Sequence, residues 1–238
     1  MGMDEGVLNL SLGELVTALQ LGDSFFPSGR YTLSHGLESF VEESKHLEVA
    51  QLEVLFGDYL RHAVGNSEAA AVATVNRAVR NDDIETIIDV DCRLLALKLP
   101  SEAAMASVRS GKQVLDTVGH LVDDPVVTSY ELAVAKSEAP GNHAVVIGMI
   151  STLWGLQPEQ AAAMELHAYL TGLLGAALRL VRMDHIDAQL ILRNLGDVVV
   201  TTAAHAAQLD YRDMSAFAPM IEVMQMKHEH SHLRLFAS

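Results

Sequence analysis

Cysteine is nearly missing from this chain of 238 residues: Cys92 is its single instance. A disulfide within the chain is therefore excluded, which fits a reducing compartment. Basic residues are scarce too, 16 against 31 acidic ones, giving a formal net charge of -15. Binders of nucleic acid or of anionic membranes are basic somewhere along the chain. No Lys/Arg cluster occurs here, so both classes are set aside. An acidic surface suits solubility, basic partners or cations instead. Aromatic residues make up only 5%, so the core must be built of Leu, Val, Ile, Ala and Met. The most apolar run, Leu166 to Val181, is interrupted by Arg179 and falls short of the roughly 20 residues that span a bilayer. Met1 to Leu10 carries two acids and no long apolar stretch, so it does not read as a signal peptide. The expectation is a cytoplasmic protein.

Strand signals are absent as well. There is no sustained period-2 alternation and no Asn-Gly or Asp-Gly hairpin turn. The period that does recur is helical. Leu12, Leu15, Val16 and Leu19 share one face, and Ser11 with Glu14 reads as a capping box in front of it. Leu52, Leu55, Phe56, Tyr59, Leu60 and Ala63 form a second stripe. Asp82 with Glu85 marks another start, with Ile84, Ile88, Cys92 and Leu95 on one face. Ser101 opens a helix carrying Ala104, Val108, Gly111, Leu115 and Val118. Asn142 caps a helix that Gly155 ends, and Gln157-Pro158 begins the next. Asp184 caps a long helix running toward Leu209. The predicted architecture is all-α, a single domain over 1–238 with about eight to ten packed helices. Its C-terminal stretch, 210–238, is poor in apolar residues and reads as an extended tail that orders against a partner.

One loop escapes the helical pattern, Gly22 to Tyr31, GDSFFPSGRY. Pro27 drives Phe26 into an extended conformation, and the paired phenylalanines predict a loop packed down onto the body.

No catalytic constellation stands out. Gly111-Lys112 lacks the flanking glycine and hydroxyl residue of a phosphate-binding loop, so any nucleotide belongs to a partner. Asp23, Ser24, Ser28, Ser34 and His35 contain the residue types of a hydrolase triad, but no G-x-S-x-G elbow accompanies them. Asp23 and Ser24 read as bonding the loop backbone and Ser34 as a helix cap. Among 11 histidines, only His228, His230 and His232 cluster. In an extended chain they point to one side, a set that suits nickel, copper or zinc, although a solvated polar tail has the same composition. Cys92, on its apolar stripe, reads as a small core residue. Gly172, Gly175, Ala176 and Ala177 read as a close helix contact inside the core, or as a dimer seam.

Four segments, taken in order, resemble the UreF family of urease accessory proteins. The first is LQLGDSFFPSGRYTLSHGLE, Leu19 to Glu38, which shares Asp23, Ser24, Phe26, Pro27, Gly29, Ser34, Gly36, Leu37 and Glu38 with the family's pattern. The second holds Glu102, Ser107, Arg109, Gly111 and Leu115. The third is GNHAVVIGMISTLWG, Gly141 to Gly155, continuing through Ala168-Tyr169-Leu170, Arg179-Leu180 and Gln189. The fourth is His228-Glu229 with Arg234-Leu235-Phe236-Ala237-Ser238. Departures are Arg30 where a second glycine is usual, Arg182 to His185 where the family has a Pro-Leu-Gly-Gln-like turn, and the extra His230 and His232.

The resemblance implies an all-α, dimeric protein that is not an enzyme. It implies binding to UreD (also called UreH) and to the GTPase UreG, and delivery of nickel to apo-urease by the complex, with no cofactor held by this chain. The candidates for docking UreD are His228, Glu229, Arg234, Leu235 and Phe236, with Arg179 from the third segment as a further partner contact. Asp23, Ser34, His35 and Glu38 are the candidates for a face toward UreG. The alternative is a nickel carrier that uses His228, His230 and His232.

Overall fold

A computed structural model describes residues 10–29, 33–44, 47–230 and 235–236. The regular elements among its described residues are all helical, with no strand. The first helix, α1 (Leu12–Gly22), opens with the expected capping box, Ser11 and Glu14 bonding reciprocally. Then come α2 (Leu37–Ser44) and α3 (Val49–Tyr59), which runs through a π-helical stretch, Leu60–Ala69, into α4 (Ala70–Val79) without a break. The chain continues with α5 (Ile84–Ala96), α6 (Ser101–Leu121), α7 (Pro125–Ala135), α8 (His143–Leu153), α9 (Pro158–Leu180), α10 (His185–Asn194), α11 (Gly196–Gln208) and α12 (Pro219–His228).

The centre of the fold is α8, whose residues from His143 to Thr152 are all buried. It packs between α4 and α6, and α9 packs across α4 and α11. Small residues make this possible. Ala70, Ala71 and Ala73 give α4 a flat, buried surface, and Gly148 brings α8 so close that a methyl there would lie 2.9 Å from the Val72 carbonyl oxygen. The void is filled by Leu52, Phe56, Leu60, Ile147, Ile150, Leu166 and Leu170, all buried. Each such large side chain contributes about 1.5–3 kcal/mol of transfer free energy.

Several helices depart from the sequence expectation. The stripe Leu12, Leu15, Val16 and Leu19 points outward; α1 instead rests on Leu21, on Gly22 against Met164, and on a Thr17 hydroxyl donating to the Trp154 carbonyl at 3.2 Å. On α5 the cap is Asp83 rather than Asp82, and the buried positions are Ile87, Val90, Asp91 and Leu94. That register turns Cys92 to the surface, where its Sγ lies 3.7 Å from the Glu138 carbonyl oxygen. Partial desolvation and the charges of Asp91 and Asp89 push its thiol above the ordinary value. The long helix expected from Asp184 is broken at Leu195-Gly196 into α10 and α11. The C-terminal stretch is not extended where described: it contributes a short 3-10 turn, Tyr211–Asp213, and then α12, started by Pro219 at its first position. By length and composition alone, α9 could cross a membrane, but 61% of its most apolar window is buried inside the domain.

Candidate functional site

Two resembling segments meet at the start of α8. Asp91, fully buried, accepts hydrogen bonds from the Tyr130 hydroxyl at 2.7 Å, from Gly141 N at 2.7 Å and from Asn142 N at 3.0 Å. Asn142 is the residue before α8, as expected, but its side chain bonds Asp91 and accepts from the Ser107 hydroxyl of α6 instead of capping its own helix. Gly111 of α6 passes so close that a methyl would strike the Gly141 carbonyl and lie 2.6 Å from His143 N. The Ser107, Gly111 and Gly141-Asn142-His143 positions thus form one packed joint.

That joint places His143 in the lining of a cleft of 380 Å³ between the Gly22–Ser28 loop and α9. The floor is open at Gly172 and Gly175, where an added methyl would meet nothing within 4 Å. Ala176 and Ala177, in the same run, are core residues. The cleft carries both signs of charge, with Asp23 and Glu165 against Arg179. His143 Nδ1 lies 3.9 Å from Glu165 Oε1, both buried. Partial burial holds the His167 imidazole below its ordinary value. A smaller cavity of 80 Å³ lies behind the cleft, and His35, His143, Glu165 and Tyr169 line both.

The loop that closes the cleft is built by local bonds. Asp23 Oδ1 accepts from Phe25 N at 2.6 Å, an Asx turn. The two phenylalanines part company, Phe26 being 7% exposed and Phe25 95%. Only one of them packs down, because the turn points consecutive side chains apart. The Ser110 hydroxyl donates to the Ser28 carbonyl and ties the loop to α6. His35 sits at φ 52, a left-handed conformation. Its Nδ1 is 2.8 Å from the Tyr169 hydroxyl, which lies 3.1 Å from the Tyr59 hydroxyl. Of the four residues expected on an outward face here, Asp23 is exposed, His35 is half-buried, and Ser34 and Glu38 are buried.

Glu38 belongs to a different cluster, which fastens the C-terminal segment to the body. Its carboxylate accepts from His228 Nε2 at 3.0 Å, from Leu235 N at 2.8 Å and from Phe236 N at 3.2 Å. The other ring nitrogen of His228 faces Glu102 Oε2 at 3.1 Å. Glu229 Oε1 accepts from the Ser101 hydroxyl and from Glu102 N, both at 3.0 Å, and so caps the start of α6. These bonds at the helix N-terminus hold its carboxyl below the ordinary range, the Glu102 amide first. The Arg179 guanidinium stands 5.5 Å above the Phe236 ring.

The first and fourth resembling segments therefore touch, with Glu38 bonding His228, Leu235 and Phe236. For Leu235 and Phe236 the expectation of order only against a partner gives way to this finding: their amides bond Glu38 of their own domain. His228 and His230 do not face one way as in an extended chain, because His228 ends α12 and is buried while His230 lies in the following turn, exposed. Arg234 and His232 lie outside the described residues. Among the described residues, no three His, Cys, Asp or Glu side chains are grouped so as to hold a metal ion. Sequence reasoning missed Asp91 and gave Glu102 no role in this contact. The signal for Asp91 was a carboxylate in register with Ile87 and Leu94 on an apolar stripe.

A family model described as UreF matches residues 48–196. The chain is similar to the protein named urease accessory protein UreF 2 of Brucella abortus, 29% identical over 226 residues that cover 95% of this chain and 93% of the relative. It is similar to urease accessory protein UreF of Trichodesmium erythraeum, 29% identical over 98% of this chain and 100% of the relative. Against urease accessory protein UreF of Yersinia pestis the identity is 27%, over 96% and 100%. With a matching family model over more than half its length and related proteins covering nearly all of it, the chain belongs to the UreF family of urease accessory proteins.

Proposed function

We propose that this chain is an adaptor in urease maturation. It bridges UreD (UreH) and the GTPase UreG, so that GTP hydrolysis is coupled to nickel insertion into apo-urease, and it regulates that GTPase without catalysing a reaction itself. It works in the cytoplasm as a homodimer. Nickel is cargo of the complex and no cofactor is bound by this chain. The observation that carries the reading is α12. Its inner face buries Ile221, Met224 and His228, while Met220, Val223 and Met226 face outward. Phe217 before the helix and Leu235 after it are also exposed. A helix apolar on both faces has more apolar surface than its own core uses, and flexible methionines suit an adaptable contact. This is the candidate UreD-docking face. The exposed Asp23 at the rim of the cleft is the candidate contact toward UreG.

The test is a pull-down with the UreD-like and UreG-like proteins of the same organism, using the full chain, a chain ending at Lys227 and the full-length variant Val223→Asp. A complex formed by the full chain and weakened by both changes supports the adaptor. Failure of the folded full chain to bind either protein refutes it.

A further inference from the structure

The helix that runs from α3 into α4 is wound as a π-helix over Leu60–Ala69. Such a stretch is uncommon and holds more residues per turn than an α-helix, so contacts from outside have to favour it. Its hydrogen bonds show where they come from. In an α-helix Ala70 N would bond the Asn66 carbonyl, four residues back. Here it bonds the carbonyls of Gly65 and Ser67. The Asn66 carbonyl accepts from Ser215 N at 3.1 Å instead, and the His62 carbonyl accepts from Phe217 N at 3.1 Å. The segment 214–218, just ahead of α12, thus lies along the π-helical stretch and takes a carbonyl that an α-helix would use itself. Met214 turns inward from this segment while Ser215 and Phe217 are exposed. Gly65 is the residue that permits the winding: an added methyl would lie 2.7 Å from the Leu60 carbonyl oxygen and would strike the Thr202 methyl.

The other end of the stretch reaches the cleft. Tyr59, the residue before it, has its hydroxyl 3.1 Å from that of Tyr169, which is 2.8 Å from His35 Nδ1. Tyr169 and His35 both line the cleft. One residue more or less in the winding turns the two helix ends relative to each other by about 100°, so the state of the stretch decides where Tyr59 points.

We propose that the π-helical stretch is a two-state coupling element between the α12 face and the cleft. With 214–218 seated, Ser215 occupies the Asn66 carbonyl and the stretch stays π-helical. When the segment is drawn away with α12, that carbonyl returns to Ala70 N, the stretch rewinds toward an α-helix and Tyr59 turns from Tyr169. The inference rests on the adaptor reading only for its use, as the link between the two candidate docking faces. The coupling itself belongs to the chain alone and is measured without a partner.

The test is NMR of the full-length protein with variants at each end. Ser215→Pro removes the N–H that seats the segment, and the extended backbone of Met214, at ψ 136, accepts a following proline. Gly65→Ala/Thr202→Ser disfavours the π winding while clearing the methyl clash, with Thr202→Ser alone as control. Coupling between sites is reciprocal. Gly65→Ala/Thr202→Ser should therefore speed exchange of the Ser215 and Phe217 amides by about tenfold while α8 keeps its protection. Ser215→Pro should move the Ala70 amide and Tyr169 ring signals, in the same direction as the other variant does. Movement of the Phe217 amide in Ser215→Pro with Ala70 and Tyr169 unchanged would overturn the proposal. So would unaltered exchange at 215 and 217 in the Gly65 variant, or a parallel loss of protection in α8. A failed pull-down with folded protein would refute the adaptor and leave this coupling standing.

Discussion

Asn142 grips Asp91 at three points: its backbone N–H reaches Oδ1 at 3.0 Å, and its side-chain Nδ2 reaches Oδ1 at 2.8 Å and the Asp91 carbonyl at 3.1 Å. The Tyr130 hydroxyl and Gly141 N add two further donors to the same buried carboxylate. Asp91 is therefore the acceptor that fixes how α5, α6 and α8 meet. Replacing it by alanine leaves buried donors with nothing to bond, at about 1–3 kcal/mol for each uncompensated group. Asp91→Ala should lower the melting temperature by about 10 °C or more, measured by circular dichroism, whereas Asp89→Ala one turn-face away on the exposed side should leave it near the wild-type value.

Two glycines make a paired test. At Gly111 an added methyl would lie on the Gly141 carbonyl and 2.5 Å from the Asn142 carbonyl carbon. At Gly172 it would meet nothing within 4 Å. Gly111→Ala should destabilise by about 2 kcal/mol or more through overpacking. Gly172→Ala, in the interior of α9, should stabilise by about 0.5–1 kcal/mol by restricting the unfolded chain. Urea denaturation reads both. Stabilisation at 172 would also supply a variant that narrows the cleft without harming the fold.

These sites show what the sequence makes legible. Periodicity identifies the buried face of α3 at Leu52, Phe56 and Tyr59, and of the π-helical stretch after it at Leu60, because these turns are covered on one side only. It identifies the stripe of α1 as well, but not its direction: Leu12, Val16 and Leu19 are exposed, and a pattern of apolar spacing does not say what lies opposite. On α5 the stripe is read one step away from its true position, because a buried Asp91 occupies a core place that an apolar template passes over. Its donors come from Asn142 and Gly141, far along the chain, and no local rule links them. The resembling motifs contain Ser107, Gly111, Gly141 and Asn142, yet their reason for being there is a contact that exists only in three dimensions. The C-terminal stretch looks too polar for a core because its attachment is made by carboxylates and an imidazole.

The Lys98–Glu68 pair makes a pH-dependent prediction whose sign reverses on mutation. Both side chains are mostly buried. Burial raises the Glu68 carboxyl, but Lys98 and Ser67 outweigh it and leave the group below its ordinary value. The pair therefore stabilises the folded chain above the unfolded carboxyl value, about 4.3, and that stability is lost as pH falls through the lower folded value. In Lys98→Met the Ser67 bond remains, but the Lys98 charge is gone and burial, the largest influence on the group, raises the folded value. Stability should then be highest in acid and decline as pH rises. At neutral pH the variant should lose about 3 kcal/mol. Urea denaturation at a series of pH values from about 2.5 to about 7 measures the slope. The same downward slope on acidification in both proteins would show that Lys98 does not set the charge of Glu68.

Two tyrosines govern the alkaline side. Burial, then the Glu68 charge, pushes the Tyr59 phenol far above its ordinary value. Burial, then Asp91, does the same for Tyr130. Both stay protonated in the folded chain where unfolded tyrosine, at about pH 10, gives up its proton. The stabilisation is complete below that pH and is lost as pH climbs above it. Absorbance titration near 295 nm should show these two of the five tyrosines ionising only together with unfolding. Tyr59→Phe should lose about 1 kcal/mol at pH 8 through its bond to Tyr169 but unfold over a flatter alkaline profile. Early, reversible ionisation of every tyrosine would contradict the burial of this chain of hydroxyls.

Leu235 and Phe236 are neighbours with opposite surroundings, and this separates attachment from docking. Phe236 is 5% exposed beneath Arg179, while Leu235 is 76% exposed. Both give their backbone N–H to Glu38, and truncating the exposed Leu235 side chain leaves those bonds and the buried Phe236 ring in place. Phe236→Ala removes a buried aromatic ring and should cost about 3 kcal/mol in local stability, read as faster hydrogen exchange across 221–236. Leu235→Ala removes a side chain that the body does not use, and exchange there should be unchanged within error. If the outward apolar face docks a partner, Leu235→Ala should still weaken that complex by about tenfold, the loss of one well-packed apolar anchor. Phe236→Ala would weaken it as well, but only by unfastening the segment, and stabilising the contact through Glu38 should restore it. Equal binding by wild type and Leu235→Ala would move the docking face off the C-terminal segment and onto the exposed stripe of α1 or the rim of the cleft.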